Sequence, residues 1–160
     1  MATISYYPVP SRAKYAFNAS FYRVYIPGTS TKYQRAKTCC LPRCAGHGGI
    51  DFGGYVGVPL AAAFAGTIRI GAWSAFGRNL TVIAPDGYGA FYAHMNSFGS
   101  LIKNGAKVKA GQYLGVMGKT GQTTGPHLHF ELRRRWDNWC TAIDPAAQLE
   151  TARKRYLATH

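Results

Sequence analysis

Acidic residues are scarce in this chain: 6 Asp and Glu stand against 19 Lys and Arg, leaving a formal charge of +13 over 160 residues. Long apolar runs are missing too. The longest, Val56-Gly-Val-Pro-Leu-Ala-Ala-Ala-Phe-Ala-Gly66, is too short to cross a bilayer and is broken by Pro59, which excludes membrane insertion. The N-terminus, MATISYYPVPSRAKYAF, lacks an apolar h-region and a small-residue cleavage site. The expectation is a soluble domain without an export signal of its own. Repeats, low-complexity tracts and linkers are also lacking, so the chain reads as one domain. Disorder is excluded by what is abundant, since 3 Trp, 11 Tyr and 8 Phe supply ample apolar surface for a core.

Helical periodicity is absent until the end, where Asp144-Pro145 predicts a cap for a helix from Ala146 to Leu157. Elsewhere Gly and Pro punctuate short runs of Tyr, Phe, Val, Thr and Ile, which read as strands joined by tight turns. Phe21–Ile26, Gly66–Gly71, Leu80–Ile83 and Tyr88–Ala93 are each of strand length. Between the last two, Ala84-Pro-Asp-Gly87 predicts a hairpin, because Asp-Gly accommodates the positive φ such turns need. The fold class is mostly β.

Basic residues cluster at Lys32–Arg43, Lys103–Lys109, Arg133–Arg135 and Arg153–Arg155. So large an excess exceeds what solubility requires and points to a polyanionic partner. Nucleic acid meets the electrostatic criterion, but no Cys2His2 spacing, RNP strand or helix-turn-helix pattern is present. A bacterial cell wall, with its phosphates and carboxylates, is an equally good polyanion. Charge alone does not choose.

The histidines do. Apart from the terminal His160, they fall in three motifs: His47-Gly-Gly-Ile-Asp51, Tyr92-Ala-His94 and His127-Leu-His129-Phe-Glu131. In an extended chain, alternate residues share a face, so His127, His129 and Glu131 line one side while Leu128 and Phe130 enter the core. The same rule aligns Tyr92 with His94 and brings His47 near Asp51. Two imidazoles and a carboxylate form the ligand set of a catalytic zinc, three donors with an open fourth position.

These segments resemble the lysostaphin-type, or LytM-like, zinc endopeptidases that cut peptidoglycan peptides. The matching text is Gly46-His-Gly-Gly-Ile-Asp-Phe52, Val58–Gly66, Tyr92-Ala-His-Met95, Val108-Lys-Ala-Gly-Gln-Tyr-Leu-Gly115, Gly118–Glu131 and Asp144-Pro145. The resemblance implies an antiparallel β-sheet groove with a short C-terminal helix. It implies a peptidase core at 45–147, an N-terminal extension at 1–44 packed on that core, and a basic helix or tail at 148–160. One Zn2+ would be held by His47, Asp51 and His129, with His94 and His127 as a catalytic pair that binds no metal. All five positions carry the family's residue types, so an active hydrolase is expected. A zinc-bound water would be the nucleophile, with one histidine as acid and base and the other stabilising the oxyanion. Tyr92 reads either as an assisting phenol or as packing. Glu131 reads either as a partner orienting an imidazole or as a surface carboxylate balancing Arg133.

Gly118-Lys-Thr-Gly-Gln-Thr-Thr-Gly125 does not fit a phosphate-binding loop and reads instead as a loop bordering the site. Cys39, Cys40, Cys44 and Cys140 allow three complete disulfide pairings. A bridge between neighbours 39 and 40 would be strained, which leaves Cys140 to pair with the 39–44 cluster; buried thiols are the alternative. The implied partner is peptidoglycan, reached by a monomer through anionic wall polymers, with no nucleic acid. Synthesis without a leader suggests a phage endolysin released during lysis; a secreted bacteriocin-like enzyme, a tail-associated lysin and a non-catalytic basic module are the alternatives.

Overall fold

A computed structural model describes residues 2–9, 17–19 and 48–159. In chain order these form β1 (Phe17–Ala19), β2 (Ile50–Gly53), β3 (Pro59–Ala61), β4 (Gly66–Ile70), β5 (Arg78–Ile83), β6 (Gly89–Phe98), β7 (Lys107–Val108), β8 (Tyr113–Met117) and β9 (His127–Arg133). A 3-10 turn at Trp139–Thr141, β10 (Ala142–Ile143) and helix α1 (Ala146–Thr159) complete them. All pairings are antiparallel, in the order β1-β2-β9-β6-β5-β4-β7, with β10 also on β9 and β3 joined to β6 through β8. The mostly-β class with one C-terminal helix is what the sequence predicts.

The predicted strands at 66–71, 80–83 and 88–93 appear as β4, β5 and β6, though β6 runs on to Phe98. The hairpin closes as expected: Ala84 N–H donates to Tyr88 O at 2.9 Å, and Gly87 takes φ +84°. The strand expected at Phe21–Ile26 lies outside the described residues, as do Cys39, Cys40 and Cys44; the disulfide pairings therefore lie outside them as well.

Alternation on β9 sends Leu128, Phe130 and Leu132 into the core, all at 0% exposure. Phe130 packs edge-to-face on Phe52 of β2 and Tyr92 of β6, with ring centroids 6.3 and 5.3 Å apart. Each such buried side chain contributes roughly 1.5–3 kcal/mol. These contacts lock together the strands that carry the candidate site.

Tyr92 is part of this core, so of its two readings packing holds, and alternation does not set it beside His94. Its ring is fully buried; its hydroxyl donates to Ala61 O at 3.0 Å and accepts from Ala63 N–H at 2.8 Å. Strict alternation fails here because His94 takes φ +58°, the only positive φ of a non-glycine among the described residues. That turn in the backbone sends the two side chains to opposite faces.

The ends of the chain meet. Ile4, Tyr7 and Val9 are buried, and Ser5 and Tyr6 N–H both donate to Ala63 O. Asp144 Oδ1 caps α1 by accepting from Ala146 N–H at 2.9 Å, with Pro145 at the first turn. The helix buries Leu149 and Ala152, and its Gln148 side chain accepts from Ile4 N–H at 2.9 Å. No helix among the described residues is long and apolar enough to cross a membrane.

Candidate active site and metal centre

Register builds the first half of the site. Asp51 on β2 stands directly opposite His129 on β9, which puts both side chains on one face. Asp51 Oδ1 lies 2.9 Å from His129 Nδ1, and Asp51 Oδ2 lies 3.8 Å from His127 Nε2. The second half comes from a change of partner. β6 pairs with β9 as far as Ala93 and with β8 from Met95 onward, so His94 sits at the switch. Its ring reaches across to His127, centroid to centroid 4.6 Å.

Two loops hold His94 in place. Its backbone N–H donates to Phe76 O at 2.9 Å, and its Nδ1 lies 2.8 Å from Thr120 O. The loops are also tied to each other by Gln122 N–H donating to Ala75 O at 2.7 Å. Gly77 and Gly121, at φ +59° and +79°, are in backbone contact: a Cβ on Gly121 would fall 2.3 Å from Gly77 N.

Hydrogen bonding assigns tautomers. A carbonyl only accepts, so Nδ1 of His94 carries a hydrogen, as does Nδ1 of His127, 3.0 Å from Gly125 O. In each neutral ring, Nε2 is therefore the basic atom. Burial outweighs the Thr120 bond and lowers the His94 pKa, with His127 and His129 adding repulsion. His129 is placed differently. Burial opposes its charge, but hydrogen bonds to Asp51 and Glu131 push its pKa up to about 9.

Asp51, His94, His127 and His129 line one open cavity of about 350 Å³ with Phe76, Gln122 and Thr123. Four of the five predicted site residues thus converge. The fifth, His47, lies outside the described residues, and among those described no group of three or more His, Cys, Asp or Glu closes around a metal-sized centre. The donors that are described suit zinc. His129 lies between two carboxylates, with Nδ1 2.9 Å from Asp51 Oδ1 and Nε2 2.9 Å from Glu131 Oε1, so a neutral ring, with one hydrogen, leaves a lone pair facing one of them. Only a cation, a proton or a metal, reconciles that contact. Two ligands about 2.0 Å from a tetrahedral ion lie roughly 3.3 Å apart, close to the spacing of this pair.

Glu131 is buried and bonded to both His129 and Arg133, so the alternative of a surface carboxylate is set aside. His129 and Arg133 together hold its pKa below the usual carboxylate range, against the effect of burial. The Gly118–Gly125 segment borders the cavity as expected, contributing Gln122, Thr123 and Thr124. Sequence reasoning did not single out Thr120 or Phe76. Thr120 lies within that flagged loop, whereas Phe76 carries no periodic signal.

The fold and the site together define a lysostaphin-type domain. The chain belongs to peptidase family M23, whose profile matches residues 45–145. The glycyl-glycine endopeptidase ALE-1 of Staphylococcus capitis is 37% identical over 109 residues, covering 66% of this chain and 30% of that protein. The catalytic domain of the antimicrobial peptidase lysostaphin from Staphylococcus simulans superposes with TM-score 0.68 at 29% identity, covering 85% of this chain and 92% of that one. A zinc containing peptidase from Vibrio cholerae gives 0.65 at 27% identity, covering 90% and 39%. The chain thus spans under a third of the length of the curated relative.

Proposed function

We propose that this domain is a zinc-dependent endopeptidase that hydrolyses peptide bonds in the stem or cross-bridge of peptidoglycan. The observation that carries the reading is the convergence of the Asp51–His129 pair with two imidazoles whose Nε2 atoms are the basic ones. Family membership and the names of the similar proteins support the same chemistry.

His47, Asp51 and His129 would hold the ion. When bound, zinc supplies Lewis acidity and brings the pKa of a water toward about 7. The remaining work falls to the chain's own side chains. His94 or His127 takes the attacking water's proton at Nε2 and delivers one to the departing amine. The other, in its protonated form, donates from Nε2 to the oxygen that becomes negative as the carbonyl is attacked, since its Nδ1 hydrogen is held by a carbonyl. The lowered pKa of His94 keeps that ring neutral near pH 7, as a base must be. The loop at 118–125 gives a substrate backbone room to approach.

The test is digestion of purified cell walls. Turbidity should fall, new amines should appear without new reducing sugar ends, and a chelator should stop both until zinc is restored. Reducing ends without new amines would make the domain a glycosidase. Metal-independent binding with no cleavage would make it a binding module.

A further inference from the structure

β9 carries His129, Glu131 and Arg133 at alternate positions on one face, and each touches the next. His129 Nε2 donates to Glu131 Oε1 at 2.9 Å; Glu131 Oε2 accepts from Arg133 Nε at 2.6 Å. All three are buried, at 5%, 4% and 9% exposure. Arg133 was expected on the basic surface and is instead an interior residue. Its guanidinium lies over the Phe91 ring at 4.2 Å and donates to Trp136 O at 3.4 Å. Phe91 stands opposite Glu131 in the β6–β9 register, which closes this side of the carboxylate. On another side runs Gly49, where a Cβ would meet Phe130 O at 2.5 Å and His129 Cε1 at 2.8 Å.

The carboxylate is therefore held at both oxygens and walled in. A buried ion pair is not by itself a source of stability, because desolvation offsets the attraction. What this arrangement does impose is geometry. With Nε2 committed to Glu131, the His129 ring can neither flip nor turn its Nδ1 away from Asp51 and the cavity.

We infer that Glu131, clamped by Arg133, is a positioning pair for His129, fixing its tautomer and ring orientation so that Nδ1 is presented to the metal. The inference rests on the zinc reading of the same site. Neither residue touches substrate; both act through the imidazole.

Zinc affinity of the full chain, measured by competition with a chromogenic chelator, tests it alongside thermal melting of the metal-free protein. Glu131→Ala should bind zinc about 10- to 100-fold more weakly while the metal-free protein still melts cooperatively. Glu131→Gln should recover part of that loss, because its amide oxygen can still accept from Nε2. Arg133→Met should fall between wild type and Glu131→Ala. A purely structural role predicts lower melting temperatures with zinc affinity unchanged in all three, and that result would overturn the inference. If Glu131→Ala does not fold, the near-isosteric Glu131→Gln carries the comparison: affinity equal to wild type overturns the inference, and a weakened one supports it. His129→Ala separates this from the parent reading. Should wild type fail to bind zinc, or should His129→Ala bind equally well, the metal reading falls and this inference with it. Should His129→Ala lose zinc while the Glu131 variants keep it, only the positioning role falls.

Discussion

Asp51, His94 and His127 face the same cavity but differ in what their removal should do. Asp51 offers an anionic oxygen beside His129 Nδ1, so Asp51→Ala should lose zinc and activity together. His94 and His127 each anchor Nδ1 on a backbone carbonyl and leave Nε2 for proton transfer. His94→Ala and His127→Ala should therefore keep near-stoichiometric zinc and a cooperative melt while activity falls about 10²-fold or more. Zinc content, melting and rate on the three variants check this. A His127→Ala protein that loses its zinc, beside an Asp51→Ala protein that keeps metal and activity, would reverse the roles. These residue types and spacings were legible in the chain, because alternation along β9 is a local property of extended backbone. The pose of His94 was not. It depends on a positive φ that nothing in Tyr92-Ala-His94 announces.

That pose belongs to the scale of elements. A left-handed non-glycine residue costs about 1–3 kcal/mol. The two bonds from His94 to Phe76 O and Thr120 O contribute about 0.5–1.5 kcal/mol each, so together they span the range of the strain. Each comes from a different loop, and the two loops touch through Gly77 and Gly121. Gly121→Ala places a Cβ against Gly77 N at a φ of +79° and should push the loops apart. A misplacement near 1 Å lowers catalysis by up to about 10²-fold. Zinc binding, which the proposed function assigns to His47, Asp51 and His129 rather than to these loops, should persist. Kinetics and metal content on this variant check the clamp; a lower melting temperature at unchanged activity would show that it serves stability alone. The loop at 118–125 was recognisable from its glycines, but its grip on His94 joins residues 26 apart in sequence and could not be read locally.

For the whole molecule, the +13 charge has the longest reach. Lys103, Lys107, Lys109, Arg134, Arg135, Arg153, Lys154 and Arg155 are exposed, while the cluster at Lys32–Arg43 lies outside the described residues. Exposed charges are screened over about 8 Å at physiological ionic strength. Binding to anionic walls should weaken markedly as salt rises, while cleavage of a small neutral peptide should change far less. Co-sedimentation with walls and peptide kinetics over the same salt series check this; equal sensitivity would remove the role assigned to the charge. The sequence by itself determined the β class, the hairpin, the capped terminal helix and the identity of the candidate donors, since each is written in near-neighbour chemistry. Tertiary structure alone decided that Asp51 meets His129 across a 78-residue separation. It also decided that Tyr92 is core, that His94 turns into the cavity, and that Arg133 leaves the surface to hold Glu131. Register, partner switches and burial are set by which strands pack together, and no local pattern encodes that choice.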